Sequence, residues 1–164
     1  MKEGGFKMSY QSFEKALELA KYCSGYFTHG AKIDKEIEYS EKQLEIKFSQ
    51  QNRDYYRSIG YLSFEGCEIY GIYPDGDSKV LVGDSYASAL HDRKCYNLPH
   101  NWLPIYDFDD GYMGYLDYSQ LNEEGEPPVI MAIYNGEKYV VVEKVAEDFG
   151  DFLLQIVEEQ LARQ

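Results

Sequence analysis

Cations are scarce in this sequence. Sixteen Lys and Arg stand against 29 Asp and Glu, leaving a formal net charge of −13 over 164 residues. Nucleic acid and anionic membrane surfaces are therefore poor direct partners, because phosphate is held by Lys and Arg. Cysteine is also scarce. Cys23, Cys67 and Cys95 are odd in number and widely spaced, so no disulfide framework is implied and free, mostly packed thiols are expected. Three histidines leave little material for acid–base or metal chemistry. No apolar run approaches the roughly 18 residues of a membrane span. Met1 to Met8 lack the apolar core of a secretory signal, so a cytoplasmic protein is expected.

What is present is enough for a core. Hydrophobic residues make up 44% of the chain, well above a disordered composition. The length suits one domain, expected over residues 9–164 behind a flexible leader, residues 1–8, with Met8 an alternative start to Met1. Seventeen tyrosines accompany a single tryptophan. Rings with a polar tip are enriched at protein interfaces, and they also pack well in sheets. The acids are unevenly spread. From Cys95 to Glu137 there is no Lys or Arg, but Asp107, Asp109, Asp110, Asp117, Glu123, Glu124, Glu126 and Glu137. Charge serving solubility alone is normally of mixed sign, so this segment points to a basic partner met by fast, salt-sensitive association.

Local patterns suggest the order of elements. Tyr10, Phe13, Leu17 and Ala20 give an amphipathic helix from Ser9 to Gly25. Asp34 and Ser49 are candidate caps of two further helices, the second stopping at Gly60. Strands are expected at Tyr61–Glu65 and Glu68–Tyr73, a turn at Pro74–Asp77 and a strand piece at Val80–Val82. Asp84 or Ser85 is expected to cap a short helix reaching about Arg93. Strands at Trp102–Phe108 and Tyr112–Leu116 flank Asp109-Asp110-Gly111; those at Val129–Tyr134 and Glu137–Val142 flank Asn135-Gly136, expected as a two-residue turn. Asp148 caps a last helix patterned by Phe149, Phe152, Leu153, Ile156, Val157 and Leu161. The fold class is α+β: one mostly antiparallel sheet, helices on one face, with Leu103, Ile105 and members of Val129–Ile133 against them.

Sites for chemistry are few. His91-x3-Cys95-x4-His100 lacks the four closely spaced ligands of a zinc site, and no metal is expected there. A Cys95–histidine nucleophile pair stays open as a minor enzymatic reading. Asp107-Phe-Asp109-Asp110-Gly111 fails the calcium-loop pattern, since Gly111 and Tyr118 stand where oxygen ligands belong. No phosphate loop or deaminase signature is present. Neither catalytic residues nor a cofactor are expected, and the protein is read as a non-enzyme.

A set of short motifs runs through most of the chain. Ile37, Glu41 and Leu44 precede Phe48-Ser49-x-x-Asn52-x-x-Tyr55-Tyr56, which ends at Gly60. Gly66-x-x-Ile69-Tyr70-Gly71 follows, then Asn97-Leu98-Pro99 and Trp102-Leu103-Pro104-Ile105. Gly111, Tyr115-Leu116-Asp117, Gly125, Pro128-Val129 and Phe149-x-x-Phe152-Leu153 complete the set. In order and spacing, from about Ile33 to Leu161, this resembles the SUKH superfamily of fungal cell-wall-synthesis regulators and bacterial immunity proteins. Two positions depart from it: Ser49 stands in place of proline and Asn52 in place of an aromatic residue.

The resemblance implies binding without catalysis. Bacterial members typically neutralise the toxin domain of a polymorphic toxin encoded next door, often a nuclease and often of the secreted LXG type. The expected function is thus an immunity protein occluding a cognate basic toxin; the alternative is a regulatory or scaffold module like the fungal members. The expected partner surface is Tyr106, Asp107, Asp109, Asp110, Tyr112, Glu123 and Glu124, on a monomer or weak dimer. Asp117, at a strand end before Ser119, is expected to cap a turn instead.

Overall fold

The computed structural model describes residues 2–74 and 83–164, with side chains from Ser9 onward. The expected turn at Pro74–Asp77 beyond Pro74, and the strand piece at Val80–Val82, lie outside the described residues. The elements in order are α1 (Lys2–Ala20), β1 (Phe27–His29), α2 (Asp34–Leu44), α3 (Gln50–Ser58), β2 (Tyr61–Phe64) and β3 (Cys67–Ile69). There follow α4 (Ser85–Tyr96), β4 (Trp102–Asp107), β5 (Tyr112–Asp117), β6 (Val129–Tyr134), β7 (Tyr139–Ala146) and α5 (Phe149–Arg163).

Phe13, Ala16 and Ala20 recur at helical spacing in α1 and are buried. The helix starts seven residues before Ser9 and stops at Ala20, short of Gly25. It crosses α5 at Gly150, where a Cβ would lie 2.9 Å from the backbone nitrogen and Cβ of Phe13; only glycine lets the two backbones come so close. Asp148 caps α5 as expected, its carboxylate accepting from the Asp151 N–H at 2.9 Å. Ser49 likewise caps α3, accepting from the Asn52 N–H at 3.3 Å. Asp84, not Ser85, caps α4, which runs three residues past Arg93 to end at Asn97 in the left-handed region, φ 59°. The expected cap of α2 is corrected. Ile33 occupies that position with no side-chain bond, and Asp34 is the first helical residue, where its charge with that of Glu36 complements the helix dipole.

The expected single sheet is corrected to two. Among the described residues, β1-β2-β3 form a three-stranded antiparallel sheet and β4-β5-β6-β7 a four-stranded antiparallel meander. They abut where the Tyr70 N–H donates to the Ile105 carbonyl at 3.0 Å, Ile105 being the residue bulged out of register between Pro104 and Tyr106. Strand β1 escaped sequence reading because three residues of mixed exposure carry no periodicity.

Leu103, Ile105, Leu116 and Val129 point into the core formed with α1, α3 and α5. The alternate residues Trp102, Tyr115 and Ile130 point the other way, as successive strand residues do, whereas the bulge at Ile105 keeps Tyr106 on the core side. Trp102, Tyr115, Ile130 and Ala132 join Leu98 in a second, smaller cluster on the opposite face of the meander. So Val129 meets the helices as expected, and Ile130 and Ala132 do not.

The β4–β5 turn has Asp109, Asp110 and Gly111 all at positive φ: 72°, 55° and 88°. Short polar Asp side chains tolerate that region. The β6–β7 connection is corrected from a two-residue Asn135-Gly136 turn. The strands stop at Tyr134 and resume at Tyr139, and Asn135 Oδ1 accepts from the N–H groups of Glu137 and Lys138 at 2.9 and 3.0 Å. Asn135 thus flanks the turn instead of forming its centre, because its side chain is used to bond the backbone beyond it.

Candidate partner-binding surface

The expected site residues fall into two groups at opposite ends of the meander. Asp107, Asp109, Asp110 and Tyr112 lie at the β4–β5 turn; Glu123 and Glu124 lie in the loop leading to β6. Six residues of β5 separate the two ends, about 20 Å of extended chain. Asp107, Asp109, Asp110 and Glu123 are exposed, and Glu124 is half-buried. None of the five has an ion-pair partner among the described residues.

Their local bonds hold the loops in shape. Asp107 Oδ1 accepts from the Asp109 N–H at 2.7 Å, while Asn122 Oδ1 accepts from Glu124 and Glu126 N–H at 3.0 and 2.9 Å. Tyr106 sits inside the protein, its ring against Phe108 and Phe152 and its hydroxyl 3.7 Å from Cys67 Sγ. Tyr112 remains at the surface, 37% exposed.

Two acids of the cation-free stretch serve the fold. Asp117 is buried and takes the N–H and hydroxyl of Ser119 and the Gln120 amide, the turn-capping role expected of it. Glu126 is 2% exposed, and its Oε2 accepts from the Gln51 N–H at the start of α3 at 3.3 Å. Gln51 in turn accepts from the Gly150 N–H at 2.7 Å and donates to Ser9 Oγ at 2.9 Å. The Ser9 hydroxyl donates to Asp148. One buried network thereby ties the acidic loop to α1, α3 and α5.

Burial, with smaller contributions from the Asp148 and Asp54 charges, raises the Glu126 carboxyl to about 7, against the opposing bonds of Ser49 and Gln51. A folded pKa above the unfolded value means that stability is full below about pH 4.5 and is lost as pH rises through 7. Glu126→Gln is expected to unfold at higher denaturant than the parent at pH 8, by about 2 kcal/mol, with the difference closing near pH 4. Urea titrations across that range check it, and a pH-independent difference would contradict the burial account.

The histidine–cysteine cluster is partly assembled. His91 Nε2 lies 3.6 Å from Cys95 Sγ and its Nδ1 lies 2.9 Å from Asp92 Oδ1, all on the last turns of α4. One turn of helix produces that proximity without any tertiary contact. His100 is not part of it: its carbonyl accepts from Arg93 at 2.7 Å. Among the described residues, no group of three or more His, Cys, Asp or Glu side chains could hold a metal ion, and no helix is long and apolar enough to cross a membrane.

Sequence reading passed over the outer face of the meander. Tyr139 packs on Tyr134 and Trp102, with ring centroids 5.1 and 6.1 Å away, and Tyr134 meets Tyr96 of α4 at 5.1 Å. Val141, opposite the buried Ala132, is 49% exposed. A hollow of about 270 Å³ opens between Ile130, Val141 and Lys144 on the sheet and Gln120 and Asn122 of the acidic loop. The available signal was the apolar run Tyr139–Val142, uninterrupted although it lies on an edge strand.

The family model for SMI1-KNR4 cell-wall proteins (SUKH_6) matches residues 34–153. The chain belongs to the SUKH family. No curated protein matches it. The two departures from the SUKH pattern prove to be linked: the Ser49 N–H and the Asn52 side-chain amide both donate to the Tyr118 hydroxyl, at 3.1 and 2.8 Å. Ser49 also supplies the helix cap that a proline could not. In this SUKH domain, Tyr118 of the acidic loop is thus anchored to α3 by the residues that differ.

Proposed function

We propose that this SUKH domain is an immunity protein that neutralises the toxin domain of a cognate polymorphic toxin of the LXG type in the cytoplasm, by occluding its active site. Family membership supports a protein-binding role, since SUKH domains are immunity or regulatory modules. The observation that carries the immunity reading is the set of exposed acids at Asp107, Asp109, Asp110 and Glu123, which have no ion-pair partner among the described residues. A nuclease domain is basic around its phosphate site, and an acidic surface of this kind competes for that site. No chemistry on the toxin is required; stoichiometric occupation suffices.

Co-expression tests this. The C-terminal domain encoded in the neighbouring long reading frame is expected to stop growth alone and to be harmless with this protein. Equal killing with and without it would sink the immunity reading. The family description, a cell-wall regulator type, favours one alternative: a scaffold or regulatory module that docks a cellular partner without neutralising it. That reading expects a stable complex and no rescue.

A further inference from the structure

The outer face of the β4–β7 meander has an apolar centre between two acidic ends. We infer that this face, centred on Tyr134, Tyr139 and Val141, is the docking surface for a basic protein domain, and that the two acidic loops form its rim. The inference rests on the immunity reading for the identity of that domain.

Cross-strand register sets out the face. One row runs Asp107, Met113, Ala132, Val141; the next runs Pro104, Tyr115, Ile130, Lys144. Tyr134 and Tyr139 pair at the end nearer the β4–β5 turn. Trp102, Tyr115, Ile130 and Ala132 of the same face are buried, and the half-buried Tyr139 ring packs against Trp102 and Tyr115, which holds its orientation and that of its neighbour Tyr134. Rings fixed in this way make contact area at low entropic cost. Helices α1 and α5 occupy the other face; on this one Leu98 joins the buried cluster and Tyr96 of α4 packs on Tyr134, while Val141 stays 49% exposed.

Charge complementarity identifies the occupant. Asp107 shares a row with the exposed Val141, and Asp109 and Asp110 follow in the adjoining turn, after Phe108. Asp92 of α4 lies close enough that, after burial, its charge is the main influence raising the Tyr139 phenol to about 12. Glu123 and Glu124 sit in the loop at the far end, whose Gln120 and Asn122 border the sheet hollow. Lys144 projects from the same face but is already paired with Glu147 at 2.7 Å. Cations arriving from a partner thus meet exposed carboxylates near electron-rich rings, a combination that binds guanidinium and ammonium groups.

Size agrees with this arrangement. Four strands at about 4.8 Å spacing and about 20 Å length give a face of roughly 300–400 Å² in projection, about half of the ~800 Å² that one partner contributes to a standard interface. The acidic loops at both ends supply the remainder. A second copy of this chain would bring another −13 charge to the same acids, which argues against self-association here.

The test uses the purified toxin domain of the neighbouring frame as probe and compares Tyr134→Ala, Val141→Asn and Val140→Asn. Val140 is exposed on the same strand but pairs with Ile133, on the opposite face, and is the internal control. Val141 is half open to water, so its substitution is expected to leave folding intact, as melting curves will report. Tyr134→Ala and Val141→Asn are expected to weaken binding tenfold or more through faster dissociation, with Val140→Asn within threefold of the parent. Parent binding unchanged by Val141→Asn, or weakened equally by Val140→Asn, overturns this inference alone. Failure of the parent to bind the probe overturns the immunity reading and this inference together. A parent dimer that Val141→Asn dissociates would replace the basic domain with a second copy.

Discussion

Removing charge from the two acidic loops is expected to slow association with the toxin domain tenfold or more at low ionic strength, with little change in dissociation. Steering by a charged surface contributes ~10–10³-fold to association rates, which is the range at stake. The conformation of the turn dictates which variants report on this. Asp109 and Asp110 both hold positive φ, which Asn adopts more readily than Lys, so Asp109→Asn with Asp110→Asn removes charge with little added backbone strain. Glu123 and Glu124 have ordinary backbones, and reversal to Lys is suitable there. Because the two pairs lie at opposite ends of the meander, each can be tested alone and then together. Exposed charges of this kind change folding stability by only about 0.5 kcal/mol each. Stopped-flow measurements between low salt and 0.15 M are decisive, since screening at a Debye length of about 8 Å should narrow the difference. Equal association rates for the parent and the four-site variant would remove the electrostatic account.

Gly60→Ala is expected to cost about 3 kcal/mol or more and lower the melting temperature by about 10 °C. Gly60 ends α3 at φ +81°, and a Cβ there would lie 2.3 Å from the carbonyl carbon and oxygen of Gly30. Those atoms are backbone and have no side chain to swing aside. The two segments are also tied by the Lys32 N–H, which donates to the Tyr56 carbonyl at 2.8 Å. Gly66 provides the comparison. It has the same φ of +81° but nothing within 4 Å of its would-be Cβ, so Gly66→Ala should show backbone strain alone, about 1 kcal/mol. Calorimetry of the two variants separates strain from contact. Equal losses would show that the close approach of the Gly30 backbone contributes nothing.

Much of the architecture was legible because it is written in local chemistry. Ser49, Asp84 and Asp148 cap the helices that follow them because an oxygen on a short side chain meets free N–H groups. Alternation and turn residues located β4 to β7 to within a few residues, and helical spacing located the core face of α5. The boundary errors have local causes too: Asn135 bonds forward from the edge of its turn, and β1 is too short to show a period.

The candidate site was harder to read. Of seventeen tyrosines, Tyr55, Tyr56, Tyr70, Tyr106 and Tyr115 are core residues, whereas Tyr22, Tyr39, Tyr96 and Tyr112 are exposed. Composition cannot sort one group from the other. Tyr106 and Tyr112 flank the same hairpin, but the bulge at Ile105 helps set which face each strand residue presents, and Tyr106 is packed beneath Phe152 of α5. The eight acids of the cation-free stretch also divide. Asp117 is buried capping its own turn through Ser119 and Gln120, Glu126 is drawn inward by the Gln51 N–H of a distant segment, and the exposed ones were sent to opposite ends of one sheet.

By itself, then, the sequence determined most of the elements, the caps at Ser49, Asp84 and Asp148, the α+β class and the excess of negative charge, because each depends on composition or on residues within a few positions of one another. Only the tertiary structure decided that there are two sheets, that β7 is an edge, and that one face of the meander stays clear of α1 and α5. Those outcomes depend on pairings between segments distant along the chain. A residue's own chemistry does not say which distant backbone will lie against it.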